Sequence, residues 1–179
     1  MSWRGRAVAL IAALVMTACA SVRQGDAPAT GEFLSGRLAV SVEAHEGTPA
    51  RSENAAFELR GDAQAGQLNL STPLGSVLAQ ARWAPGSVVL ATPQGERHFA
   101  DLDTLTQEVL GESVPVAALF DWLRGRPWSG AASVSVGAPA EAGFVQLGWS
   151  VGLARFDDGL VVARRERAPV VTIRAKLDR

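Results

Sequence analysis

The sequence predicts an α+β domain in which two helices pack over one face of a curved antiparallel sheet. Apolar and polar residues alternate in short segments from residue 36 onward, and Gly, Pro, Asp and Ser separate these segments. A helical period replaces the alternation over residues 101–125, and the alternation then returns. The chain has 179 residues, enough for one globular domain with a substantial core.

The first half of the chain predicts a meander of hairpins. Each segment places its apolar side chains two residues apart, as a strand with one buried face requires. A Thr-Pro-Leu-Gly turn at residues 72–75 separates two of these strands. The predicted inward residues are Leu38, Val40, Val42, Ala55, Phe57, Leu59, Leu68, Leu70, Val77, Ala79, Ala81, Trp83, Val88 and Leu90.

Two helices are predicted next. Asp101 or Asp103 can cap the first, which carries Leu105 and ends at Gly111. Pro115 begins the second, in which apolar residues recur at i, i+3, i+4 and i+7. These residues are Val116, Leu119, Phe120 and Leu123.

The second half returns to strands. An Asp157-Asp158-Gly159 turn predicts a hairpin, because Asp-Gly is a strong hairpin signal. The predicted inward residues are Val145, Leu147, Trp149, Val151, Leu153, Leu160, Val162, Val171, Ile173, Ala175 and Leu177.

Residues 1–18 predict a lipoprotein signal peptide. Two arginines precede an apolar run over residues 7–15, which is about half the length that a membrane-spanning helix needs. Small residues before Cys19 resemble the bacterial lipobox, in which the cysteine is lipidated and begins the mature chain. Ordinary signal cleavage beside a free cysteine is the alternative. Residues 19–31 predict a flexible tether, which leaves 32–179 as the folded domain.

The composition argues against several classes of protein. The formal net charge is -1, so the basic excess of a nucleic-acid-binding protein is missing. One cysteine and two histidines leave little for a metal site. No phosphate-binding loop, dinucleotide fingerprint or nucleophile elbow occurs in the sequence. We therefore expect no catalytic residues, no metal and no cofactor, and a protein that is not an enzyme.

Leu74 stands out because it lies at the tip of a predicted turn. Turn residues normally face water, so a leucine there exposes apolar area without a visible gain. Leu74 either folds back onto a neighbouring strand or projects as an apolar finger that enters a bilayer.

The ordered combination of motifs resembles the LolB family of outer-membrane lipoproteins. These motifs are the cysteine at 19, GRLAV at 36–40, LSTPLG at 70–75, LGESVP at 110–115, DWLRGRP at 121–127 and DG at 158–159. The resemblance implies an unclosed antiparallel β-barrel with helices that cover an apolar cavity. It also implies that the protein accepts lipoproteins from the periplasmic carrier LolA and inserts them into the outer membrane. Pro73, Leu74 and Gly75 then form the loop that enters the membrane.

In the implied half-barrel, apolar residues on the inner side would line an acyl-chain cavity. We expect the protein to act as a monomer on the periplasmic face of the outer membrane. A tethered lipoprotein that binds another hydrophobic ligand and a purely structural envelope lipoprotein are the alternatives. The candidate cavity residues are Leu38, Val40, Phe57, Leu59, Leu68, Leu70, Ala79, Trp83, Leu90, Phe120, Leu123, Leu147, Trp149 and Ile173.

Overall fold

A computed structural model describes residues 32–137 and 142–178. The predicted signal peptide, Cys19 and the tether lie outside the described residues. The elements are β1 (Phe33–Val42), β2 (Arg51–Gly61), β3 (Gly66–Ser71), β4 (Val77–Ala84), β5 (Ser87–Thr92), β6 (Gly95–Phe99), α1 (Leu102–Leu110), α2 (Val116–Trp122), β7 (Ser133–Val136), β8 (Gly143–Gln146), β9 (Trp149–Gly152), β10 (Leu160–Arg165) and β11 (Val171–Leu177).

All strands belong to one antiparallel sheet in the order β6-β5-β4-β3-β2-β1-β11-β10-β9-β8-β7. The C-terminal strand returns to the middle, where Val40 faces Ile173 and Leu38 faces Ala175 across β1 and β11. Within the described residues, β6 and β7 each pair with one neighbour, so the sheet is unclosed. The structure therefore confirms the predicted α+β class with one unclosed antiparallel sheet.

The sheet curls around α2. Seven strand spacings separate β4 from β8 in the sheet order, which is about 34 Å in a flat sheet at ~4.8 Å per spacing. Yet the Trp83 ring on β4 lies 5.5 Å from the Phe120 ring, centroid to centroid. The Phe144 ring on β8 lies 6.5 Å from the ring of Trp122, only two residues further along α2. This geometry is consistent with an open half-barrel.

The core consists of two apolar clusters on the inner face of the sheet. The first joins Phe57 and Leu59 to residues of β4, β5 and both helices, and includes Leu105 and Phe120. The second joins Trp122 to strands β8 to β11. Half-buried Leu119 contacts both clusters. The helices therefore pack against one face of the sheet, as the sequence predicts.

Both predicted helices form. The Asp101 carboxylate accepts a hydrogen bond of 2.7 Å from the Thr104 amide at the start of α1, and this bond lowers the pKa of Asp101. Gly111 ends α1 with φ of 77°, the left-handed conformation that favours glycine. Burial raises the pKa of Asp103 in the first turn. Capping of α1 therefore explains why an aspartate stands at position 101.

We expect Asp101→Ala to lower the melting temperature by about 2–4 °C, the shift that loss of one helix cap gives in a domain of this size. Asp101→Asn is the matched control, since its amide oxygen can still accept the Thr104 bond. Thermal melting followed by circular dichroism measures both variants. If the alanine variant melts with the wild type, capping by Asp101 does not stabilise the fold.

Two predicted alternations in the second half are wrong. Leu147 is not an inward strand residue, because it lies in the β8–β9 turn and is 47% exposed. Leu147 and Gly148 both have positive φ, 52° and 77°, as the two-residue turn of this hairpin requires. The strand residues that point inward before this turn are Phe144 and Gln146, while Val145 faces outward.

The second wrong alternation follows Gly159. Val161 and Ala163 are buried on β10, whereas Leu160 and Val162, which were predicted to point inward, are half-buried on the other face. The Asp-Gly step does not make a tight hairpin, because it ends a longer connection in which the Leu160 amide donates to the Arg155 carbonyl. The edge strand β7, in which Val134 is exposed and Val136 half-buried, was not predicted.

Candidate functional site

The β3–β4 hairpin ends in a loop that satisfies its own backbone. The Thr72 amide donates to the Ser76 carbonyl at 2.9 Å, and the Gly75 amide donates to the Thr72 carbonyl at 2.9 Å. The Thr72 hydroxyl accepts a further bond of 3.1 Å from the Ser76 amide. Gly75 has φ of 85°, the left-handed position that completes a three-residue hairpin loop. The loop therefore keeps its shape without contacts to its tip.

That tip is Leu74, whose side chain is 95% exposed. Leu74 does not fold back onto a strand, so the packing alternative is wrong. Val77, at the start of β4, was predicted to point inward, but it is exposed, because the pairing of β3 with β4 shifts register between Leu70 and Ser71. Val77 and the exposed Leu78 extend the apolar surface along the hairpin. Among the described residues no other large apolar side chain is as exposed as Leu74. The described helices are all too short to cross a membrane.

A pocket of about 80 Å³ lies between the two helices and the sheet. Its wall is apolar except for Thr106 on α1. Seven of the candidate cavity residues line it. They are Leu38, Phe57, Leu59, Leu68, Trp83, Phe120 and Leu123.

The other candidate cavity residues lie elsewhere. Leu90 is buried in the first cluster, and half-buried Leu70 and Ala79 pack against it. Val40 packs against the second cluster, which contains Trp149 and Ile173. Leu147 is in the exposed turn described above.

Helix residues that complete the pocket were not among the candidates. The i, i+3, i+4 pattern of the second helix already marked Val116 and Leu119 as inward, so this signal could have placed them in the site. The additional lining residues are Ala81, Leu102, Leu105, Thr106, Val116 and Leu119.

The two helices are attached with different strength. On α2, Ala118, Phe120 and Trp122 are buried, and the Trp122 indole donates a 2.8 Å hydrogen bond to Gln146. The Gln146 side chain is itself buried and donates to the carbonyls of Trp128 and Ala131. This network fixes α2 to β8 and to the segment that follows the helix.

Helix α1 buries only Leu105 and Thr106. Among the described residues, two polar interactions hold α1 in place. Glu108 forms an exposed ion pair with Arg97, and the Thr106 hydroxyl accepts a 3.0 Å hydrogen bond from the Val114 amide. Exposed ion pairs contribute little to stability, so α1 is the more weakly held cover of the pocket.

The described residues include no group of three or more His, Cys, Asp or Glu side chains that could hold a metal ion, so neither histidine belongs to one. His45 lies 3.4 Å from Glu46 in an exposed turn. The pocket and the Leu74 loop are therefore the candidate site, and both are suited to apolar contact.

An open antiparallel sheet that curls around a helix, with an apolar pocket between them, places the protein in the class of half-barrel domains covered by helices. The family model described as "Outer membrane lipoprotein LolB" matches residues 33–176. The chain belongs to the LolB family.

Curated relatives agree with this assignment. A Bordetella petrii protein named outer-membrane lipoprotein LolB is 36% identical over 176 residues, covering 92% of this chain and 87% of the relative. The Bordetella pertussis protein of that name is 35% identical, with 89% and 85% covered. That of Cupriavidus necator is 32% identical, with 87% and 83% covered. The protein is thus an outer-membrane lipoprotein of the lipoprotein localisation system of Gram-negative bacteria.

Proposed function

We propose that this protein accepts lipoproteins from a LolA-like periplasmic carrier, holds their acyl chains between helices and sheet, and inserts them into the outer membrane. The observation that carries this proposal is the 95% exposure of Leu74 on a loop closed by its own hydrogen bonds. A leucine in such a place gains nothing from the fold and would gain from entering a bilayer. A single chain supplies the pocket, both helices and the loop, so we propose a monomer.

The acyl chains of a lipoprotein must stay out of water during transfer. Three acyl chains of roughly 14 methylenes each, at ~0.8 kcal/mol per methylene, would cost about 30 kcal/mol to expose to water. Apolar walls can shelter such chains without specific polar contacts. Handover between two cavities in contact can proceed down a free-energy gradient from carrier to receptor to membrane.

The pocket must widen to hold a chain. Its volume of about 80 Å³ is well below the ~300–1,000 Å³ of sites that enclose a sizeable ligand. Because α1 is the more weakly held cover, we propose that α1 moves away from the sheet while α2 stays fixed through Trp122 and Gln146.

Transfer measured in two steps tests this proposal. A labelled lipoprotein is first passed from the carrier to the purified protein, and then from the protein to liposomes. Acyl binding without acceptance from the carrier would indicate a lipoprotein that binds another hydrophobic ligand. Failure to bind any acyl chain would indicate a structural envelope protein.

We also propose Cys19 as the lipidated residue. Cys19→Ala should abolish acylation and leave a periplasmic or unprocessed product, while transfer in solution should partly survive because the pocket lies elsewhere. Ser21→Ala is the control, since it leaves the cysteine in place. Mass spectrometry of the wild type should find acyl groups on Cys19, and an unmodified Cys19 would contradict the lipobox assignment.

A further inference from the structure

Three cationic side chains meet on the outer face of the sheet, opposite the helices. Arg37 faces Lys176 directly across β1 and β11, and Arg174 faces Ala39 two pairs further along, on the same face of the sheet. All three cationic residues are exposed, and they line a shallow depression of about 370 Å³. We call Arg37, Arg174 and Lys176 the cationic patch.

Within the part of the chain that the structure describes, ion pairs do not neutralise the positive charge of Arg37 and Arg174 in the cationic patch. None of the ion pairs among the described residues includes Arg37 or Arg174, and Lys176 donates to the carbonyl oxygen of Asp158. Elsewhere on the same face, Arg164 bonds Glu43 and Glu166, and the Glu166 bond raises its pKa. Like charges directly opposite each other on neighbouring strands are destabilising, so the sheet retains Arg37 and Lys176 at a cost.

The patch lies beside the loop that carries Leu74. Ser71, which immediately precedes the loop, pairs with Ala56, and Ala56 pairs with Arg37. At ~4.8 Å per strand, Arg37 is about 10 Å from Ser71 along this row, and Lys176 is about 14 Å away. Pro73 lines the same depression as the three cations. One flat surface can therefore contact the loop and the patch together.

We infer that the cationic patch binds anionic phospholipid headgroups at the membrane surface while Leu74 enters the acyl layer. Guanidinium groups bind phosphate through paired hydrogen bonds, and the charge complements an anionic lipid surface. The whole chain has a net charge of -1, so attraction depends on the local patch and acts within a Debye length of ~10 Å. Because the patch lies beside Leu74, its role rests on the proposed function.

Binding of lipid headgroups at the cationic patch would orient the protein relative to the membrane. A lipid anchor holds the protein at the membrane but does not by itself fix which face of the folded domain meets the bilayer. Contacts from both Leu74 and the patch fix which edge of the sheet faces the bilayer. The hairpin of β3 and β4 is then held against the membrane during delivery.

A fluorophore beside the loop tests this role. Ser76→Cys places the label on an exposed side chain whose backbone alone makes the loop hydrogen bonds. Lipidated protein is reconstituted in vesicles of phosphatidylcholine, with or without phosphatidylglycerol. We expect phosphatidylglycerol to raise the ratio of membrane-embedded to free loops by more than tenfold, at roughly fivefold per arginine, and high salt to reverse this.

The Arg37→Gln/Arg174→Gln double variant, which keeps Lys176, should lose most of this dependence on phosphatidylglycerol and retain the insertion seen in phosphatidylcholine alone. Arg51→Gln/Arg167→Gln is the matched control, with the same charge change at exposed residues off the patch. A double variant that keeps the full dependence overturns the inference. So does a double variant that loses only carrier binding, which would assign the patch to an acidic protein. A label that never enters any vesicle would instead contradict membrane contact by Leu74.

Discussion

Leu74→Glu should fold normally, accept a lipoprotein from the carrier, and fail to deliver it to membranes. A fully exposed side chain usually changes the free energy of unfolding by less than about 0.5 kcal/mol, and Leu74 is 95% exposed. The loop's hydrogen bonds involve backbone groups and the Thr72 hydroxyl, none of which the substitution removes. Stability and delivery should therefore separate.

The loss of delivery follows from the membrane contact. Burial of a leucine contributes roughly 1.5–3 kcal/mol, and removing that contribution weakens the contact about 10- to 100-fold. A glutamate adds the cost of bringing a charge toward hydrocarbon. We expect liposome delivery to fall by at least tenfold, measured with the second transfer step beside a thermal melt.

Leu147→Glu is the matched control for this variant. Leu147 is also an exposed leucine at a hairpin tip, and it also precedes a glycine with positive φ. This substitution should leave both transfer steps and the melting temperature near those of the wild type. If Leu74→Glu delivers lipoproteins as well as the wild type, the loop is only a turn. If Leu147→Glu fails equally, the effect comes from charge in general and not from the Leu74 loop.

The strands that the sequence predicts correctly are those with one apolar face. In β2, β4 and β5 the inner positions are apolar and the outer ones are mostly polar or small, so alternation identifies the buried face. Strand β10 reads Leu-Val-Val-Ala, apolar on both faces, so alternation does not choose between them. Burial there is decided by pairing with β11, where Ala163 lies opposite Ile173. That register depends on residues distant in the sequence.

The candidate site also has features that the sequence predicts and features that it does not. Leu74 could be identified from sequence because a leucine in a Pro-Gly turn conflicts with local expectation. Half of the candidate cavity residues do line the pocket, but its size could not be predicted, because the size depends on how far the helices stand from the sheet. The cationic patch was not found either, since Arg37 and Lys176 come from opposite ends of the domain and meet only through the β1–β11 register.

Filling the pocket should block acyl acceptance while sparing the fold. Ala81 lines the pocket and lies between Leu68 and Leu90 on the neighbouring strands. Ala81→Leu adds three carbon atoms to the wall of this pocket of about 80 Å³, so the new side chain projects into the empty space. The added methylenes enter a void, so the usual overpacking cost of ~1–3 kcal/mol should be largely offset by burial.

Ala163→Leu is the matched control, because Ala163 is 1% exposed in the second cluster and does not line the pocket. We expect Ala81→Leu to lower binding of an apolar fluorescent probe, and acceptance from the carrier, by about tenfold at nearly unchanged melting temperature. Ala163→Leu should do the reverse, lowering stability while the folded fraction binds probe normally. If Ala81→Leu accepts lipoproteins as readily as the wild type, the chains do not enter between α1 and the sheet. The acyl-binding surface would then have to be sought outside this pocket.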